Sequence, residues 1–246
     1  AMEAGIRTVT FVDVGAATDD LTVAAEFTAD LKVNLDGGAN VNTVDASAYT
    51  GVLTVAATGT VVAAATHVVT GGTSLLDTYL VTADGTAAGT TSSVTDIENI
   101  TVVGDAGSVA WTANNASADD GTTHTIDATS MTSGVNAATI NMSAETNASV
   151  VVKGGAGADV ITISGSDLAE SVAAGAGADT IAFLSANLTS IDVIDGGVGT
   201  DTMKAGDEVA IVDADFTNVT NVEVLSGTTA SMAVNATIGA EAMEAG

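Results

Sequence analysis

Three short loops in this chain combine residues that could hold a metal cation. The first is Gly154-Gly155-Ala156-Gly157-Ala158-Asp159, followed by Val160-Ile161-Thr162. The second is Ala174-Gly175-Ala176-Gly177-Ala178-Asp179, followed by Thr180-Ile181-Ala182. The third is Gly196-Gly197-Val198-Gly199-Thr200-Asp201, followed by Thr202-Met203. Glycine permits positive φ and close backbone approach, so carbonyl oxygens can turn inward. The aspartate adds a charged oxygen. Six to eight oxygens at roughly 2.3–2.6 Å suit Ca²⁺ better than Mg²⁺. One such loop is equally a plain Gly-Asp turn, whereas three in register point to Ca²⁺. The candidate metal residues are Gly154, Gly155, Gly157, Asp159, Gly175, Gly177, Asp179, Gly196, Gly197, Gly199 and Asp201.

Such loops bind together only if the chain stacks them. Asp159 and Asp179 are 20 residues apart, and Asp179 and Asp201 are 22 apart. Weaker half-turns lie between them, at Glu170-Ser171-Val172 and Asp192-Val193-Ile194. Each half-turn is one short strand and one tight loop, and two make a flattened coil. The pattern is G-G-x-G-x-D-x-U-x, with U a large apolar residue. Here the chain resembles the RTX (repeats-in-toxin) family. The resemblance covers Val151 to Gly206 and implies a parallel β-roll, calcium-dependent folding after export, and release by a one-step secretion machine. Ala174 stands where the pattern has glycine, Glu170 where it has aspartate, and the spacing exceeds the usual 18 or so.

Composition narrows the rest. The chain has 246 residues, 31 acids, 4 Lys or Arg, and a net charge of −27. A polyanion of this kind is a poor partner for nucleic acid or an anionic membrane surface. Hydrophobic residues make up 46%, which argues against a disordered acidic tail. The content is mostly Ala and Val with few aromatics, which suits narrow repetitive coils. Without cysteine there is no disulfide, so a cation is the expected staple. No run approaches the roughly 18 apolar residues that span a bilayer, and no basic n-region opens the chain. It is expected to be a piece of something longer.

Alternating runs recur outside the central stretch, at Ile6–Val12, Val94–Val103 and Phe216–Leu225. Thr43-Val44-Asp45-Ala46-Ser47 leads into Val52–Val55, and Thr125-Ile126-Asp127-Ala128-Thr129 into Ala138–Met142. Period-two alternation predicts half-buried strands. The expected fold is all-β, a parallel β-helix or β-roll solenoid with Gly-Asp calcium loops. Residues 1–150 read as a β-solenoid with excursions at 63–92 and 104–123, where Ala63–His67 could be a helical turn. Residues 151–206 read as the calcium β-roll, and 207–246 as closing rungs. Asp36-Gly37-Gly38-Ala39-Asn40 looks like a decayed glycine loop. Val160, Ile161, Ile181, Val193, Ile194 and Met203 are expected to fill the interior.

The catalytic inventory is thin. His67 and His124 are the only histidines, and both read as surface or loop residues. Asp19-Asp20 and Asp119-Asp120 read as solvated pairs. Two carboxylates can cleave a glycosidic bond, so a polysaccharide-active β-helix is a third reading. Such sites usually carry aromatic platforms, and Trp111, Tyr49 and Tyr79 lie far apart in sequence. The Thr-x-Thr spacing that an ice-binding ladder needs does not recur. No enzyme is expected.

The Thr/Ala/Val/Gly-rich body and the phrase Asp96-Ile97-Glu98-Asn99-Ile100-Thr101-Val102 are similar to RTX-bearing bacterial surface-layer proteins. That implies a structural, calcium-dependent, extracellular role at the cell surface. Large RTX adhesins are the alternative. The expected partners are identical or tandem units and a cell-surface glycan, with no nucleic acid and no membrane insertion. Ala1-Met2-Glu3-Ala4-Gly5 recurs as Ala242-Met243-Glu244-Ala245-Gly246, which suggests one unit of a tandem array.

Overall fold

The computed structural model describes residues 7–11, 19–35, 42–58, 67–83, 94–114, 118, 121–163, 165, 168–207 and 210–227. The Asp36–Asn40 loop, residues 63–66, Asp119-Asp120 and both end motifs lie outside the described residues.

Short alternating runs leave each strand with one apolar face, and the chain buries those faces by winding. Strands alternate between two walls. In chain order they are β1 (Thr8–Thr10), β2 (Asp19–Thr22), β3 (Leu31–Asn34), β4 (Asn42–Asp45), β5 (Leu53–Thr58), β6 (Val68–Thr70), β7 (Thr78–Thr82) and β8 (Val94–Thr95). Then come β9 (Asn99–Val103), β10 (Val109–Thr112), β11 (Thr123–Asp127), β12 (Ala138–Asn141), β13 (Ser149–Lys153), β14 (Val160–Thr162), β15 (Glu170–Ala173), β16 (Ala176–Gly177) and β17 (Thr180–Phe183). The last are β18 (Val193–Asp195), β19 (Val198–Gly199), β20 (Thr202–Ala205), β21 (Val219–Thr220) and β22 (Val224–Gly227).

The first wall is one ten-stranded sheet, β1-β3-β5-β7-β9-β11-β13-β15-β18-β21. The second begins as the sheet β2-β4-β6-β8 and resumes as β10-β12-β14-β17-β20-β22. Pairing is parallel throughout, for example Ile161 with Ile181 and Ile181 with Met203. The protein is a parallel β-solenoid, as the spacing predicts. The ten-stranded sheet runs without a break past residue 150.

Registered stacking turns the alternation into continuous apolar rows. Val55, Tyr79, Ile100, Ile126 and Val152 follow one another along the first wall. Trp111, Ile140, Ile161, Ile181 and Met203 follow along the second. All are buried, and each such side chain contributes about 1.5–3 kcal/mol. The rings of Tyr79 and Trp111 meet between the walls, 5.8 Å apart. Distant in sequence, they form packing rather than a sugar platform.

Four expectations need correction. Val160 and Val193 are 41% and 48% exposed. The residue following the loop aspartate points outward, so Ile161 fills the interior; Ile194, next to Val193, does likewise. The stretches 63–92 and 104–123 contain β6, β7 and β10, which are paired members of the coil. His67 is buried, and its Nδ1 accepts the Asn42 N–H at 3.2 Å. Burial holds its pKa below the ordinary value. His124 is fully buried, with its Nδ1 3.3 Å from Oε2 of Glu145, also fully buried.

Candidate functional site

All eleven candidate residues fall in one column at an edge of the coil. The loops stack so closely that no side chain fits between them. A Cβ on Gly175 would lie 2.1 Å from the Gly155 carbonyl oxygen, and one on Gly197 2.0 Å from that of Gly175. On Gly177 it would meet the Gly157 oxygen at 2.2 Å, and on Gly199 the Gly177 oxygen at 1.5 Å. Gly154, Gly155, Gly157 and Gly196 are crowded by Ala174, Met131, Asn136 and Asn221 backbone oxygens. Ala176 and Val198 donate their N–H groups to the Gly155 and Gly175 carbonyls, so β16 and β19 form a small sheet of their own. Gly175→Ala, at φ +110°, is expected to cost at least about 2 kcal/mol in strain and overlap. A thermal melt of that variant, unchanged from the parent, would refute the close stacking.

The aspartates point inward. Asp159, Asp179 and Asp201 are 1%, 1% and 0% exposed. Each Oδ1 accepts the backbone N–H one rung earlier. Asp159 takes that of Ala138, Asp179 that of Asp159, and Asp201 that of Asp179, each at 2.7 Å. Glu223 Oε2 closes the row by accepting the Asp201 N–H at 2.7 Å. Corner amides that lack a carbonyl partner are thus satisfied by carboxylates, as buried amides must be.

The second carboxylate oxygen separates the loops. Asp159 Oδ2 accepts the Gly155 N–H at 2.6 Å. The buried Oδ2 atoms of Asp179 and Asp201 have no hydrogen-bond partner among the described residues. The backbone explains the difference. Gly175 and Gly197 sit at φ +110° and +93°, while Gly155 is not in the positive-φ region. In the third loop the Gly197 N–H turns to Asp195 Oδ1 at 3.0 Å, away from Asp201.

Electrostatics follow. Burial is the largest influence on all three aspartates and raises each pKa. For Asp179 the value is pushed up to about 6; the Asp159 N–H opposes this, and the charges of Asp159 and Asp201 add to it. A cation beside the two orphan oxygens would reverse that cost. Among the described residues no three His, Cys, Asp or Glu side chains converge on one point. A cation here therefore depends mainly on backbone oxygens, as calcium sites allow. The second and third loops fit such an ion on their orphan oxygens. In the first loop both carboxylate oxygens are already taken by amides.

Other acids have the same role: Asp192, which heads a weaker half-turn in the sequence, and Asp77 and Asp207, which no repeat motif marks. Asp77 takes the Leu53 N–H at 2.8 Å and the Gly72 N–H at 2.7 Å. Asp192 takes those of Glu170 at 3.0 Å and Thr189 at 2.8 Å. Asp207 takes that of Ser185 at 3.0 Å. The available signal was an acid immediately before a strand: Asp77 before β7, Asp192 before β18, Glu223 before β22. Loops below the glycine stack belong to it too. Asn136 Nδ2 donates to Asp105 Oδ1 at 2.8 Å, and the Ala156 N–H to the Met131 carbonyl at 2.8 Å.

Among the described residues no helix is long and apolar enough to cross a membrane. No known family model, curated protein or solved structure matches the chain.

Proposed function

We propose that this chain is a non-enzymatic, calcium-dependent structural module of a bacterial cell-surface assembly, such as an S-layer or filament. The observation that carries the reading is the pair of buried, unpartnered carboxylate oxygens on Asp179 and Asp201 in stacked glycine loops. Bound Ca²⁺ would supply positive charge there and relieve repulsion in a chain of net charge −27. Asp179 and Asp201 would hold it, aided by carbonyls of the loops at Gly175–Gly177 and Gly196–Gly199. The glycines keep adjacent loops in contact, and the Oδ1 atoms fix the carboxylates by holding amides. The long parallel walls suit a building element whose copies associate with one another.

Structural calcium binds the folded state alone and stabilises it by mass action. At a hundredfold excess over Kd the gain is about 2.7 kcal/mol, or roughly 5–10 °C in melting temperature for a chain of this size. Melts in EGTA and in millimolar Ca²⁺ test this, and superimposed curves would reject calcium. Electron microscopy of the same samples tests assembly. Lattices or filaments with calcium support the surface-array reading. Isolated rods that bind cells or glycans would replace it with the adhesin reading.

A further inference from the structure

We propose that calcium control is polarised along the solenoid: Asp159 is a cation-independent clamp, and calcium acts only on the rungs beyond it. The inference rests on the calcium reading above and assigns its reach. The first loop matches the glycine-aspartate pattern as fully as the third, yet both oxygens of its carboxylate already hold amides. Ala138 and Gly155 donate to its two oxygens at 2.7 and 2.6 Å. A cation at Oδ2 would compete with the part-buried Gly155 N–H for the same oxygen, whereas Oδ2 of Asp179 and Asp201 is claimed by no donor among the described residues.

The same two-amide arrangement occurs at Asp77 and Asp192, outside the three loops. The fold therefore uses a doubly bonded carboxylate as a closing device at three corners, Asp77, Asp159 and Asp192. Asp159 belongs to that group by geometry, although its sequence belongs with Asp179 and Asp201. The positive φ of Gly175 and Gly197 marks the change from one kind of loop to the other. Beyond it, each carboxylate holds one amide and leaves one buried oxygen for an outside charge.

Hydrogen exchange read by mass spectrometry on the whole chain, in EGTA and in millimolar Ca²⁺, tests the boundary. Calcium is expected to slow amide exchange at least tenfold over 174–206 and by less than twofold over 123–163. Equal slowing at 154–163 would overturn the polarity while leaving the calcium reading intact. No response anywhere would overturn the calcium reading, and this inference with it. Calorimetric Ca²⁺ titration of two variants gives a second readout. Asp179→Asn should weaken binding at least tenfold, and Asp159→Asn by less than twofold. Comparable losses in both would overturn the polarity. If Asp159→Asn fails to fold, the exchange map of the parent chain still decides.

Discussion

Glu145→Ala is expected to lower the unfolding free energy by about 2–4 kcal/mol, from the hydrogen bonds lost at a buried site and the cavity left behind. Glu145 and His124 are both 0% exposed. Glu145 Oε2 faces His124 Nδ1 at 3.3 Å, and its Oε1 accepts the Asn147 N–H at 3.3 Å. Alanine strips the imidazole of its partner, frees a corner amide and leaves a cavity. Packing surrounds the pair. Val150 is opposite His124 on β13. On the other side, Glu98 precedes Asn99 as His124 precedes Thr125, and those two are paired. Glu145→Gln keeps the shape and one acceptor, so it should lose less than half as much. Urea denaturation of the three proteins measures both differences. A loss under about 1 kcal/mol for alanine would show that the pair does not hold this corner.

Asp179→Asn is expected to act in opposite directions with and without calcium. The folded-state value near 6 lies above the ordinary 3.8. The metal-free fold thus binds the Asp179 proton more tightly than the unfolded chain does. That stabilisation is complete below about pH 4 and is lost as pH rises through 6. Above that range the ionised carboxylate is buried at a cost. Asparagine keeps the oxygen that accepts the Asp159 N–H and removes the charge. In EGTA at pH 7.5 the variant should be more stable than the parent, by on the order of 1 kcal/mol after solvent screening. In Ca²⁺ it should be less stable. Carboxylates such as Asp45 and Asp127 have pKa values lowered by Ser47 and Thr129 hydrogen bonds, and their contribution has the opposite pH sign. The difference between parent and variant isolates Asp179. A variant less stable than its parent in EGTA at pH 7.5 would contradict this account.

The solenoid was legible because its cause is periodic. Ile161, Ile181 and Met203 recur at a near-constant interval, and that interval fixes which strands pair. The inside-outside sense at Val160 and Val193 was less clear, since two apolar residues stand side by side and only the pleat chooses between them. The glycine positions were readable because close backbone approach tolerates little else. The carboxylate clamps were hidden, because a lone acid before a strand looks like any solvated acid. Asp77 is identified by the Leu53 amide 24 residues earlier, which no local pattern reveals. His124 was misjudged for the same reason: Glu145, 21 residues away, supplies the partner that its neighbours in sequence lack.

The carboxylate rows also give the winding a direction. Among the described residues, in each bond between rungs from a backbone N–H to a carboxylate the amide belongs to the earlier residue and the carboxylate to the later one: Leu53 to Asp77, Ala138 to Asp159, Glu170 to Asp192, Asp201 to Glu223. At these corners the backbone amide of a rung is therefore capped by a carboxylate of its successor. A chain emerging N-terminus first carries a last corner whose amide waits for some 20 further residues, the spacing from Asp159 to Asp179. Each added turn seals the corner amide of the one before it. Cutting the rod between rungs leaves the upstream piece with an unsealed amide and the downstream piece with a spare carboxylate, so its two ends are chemically unlike.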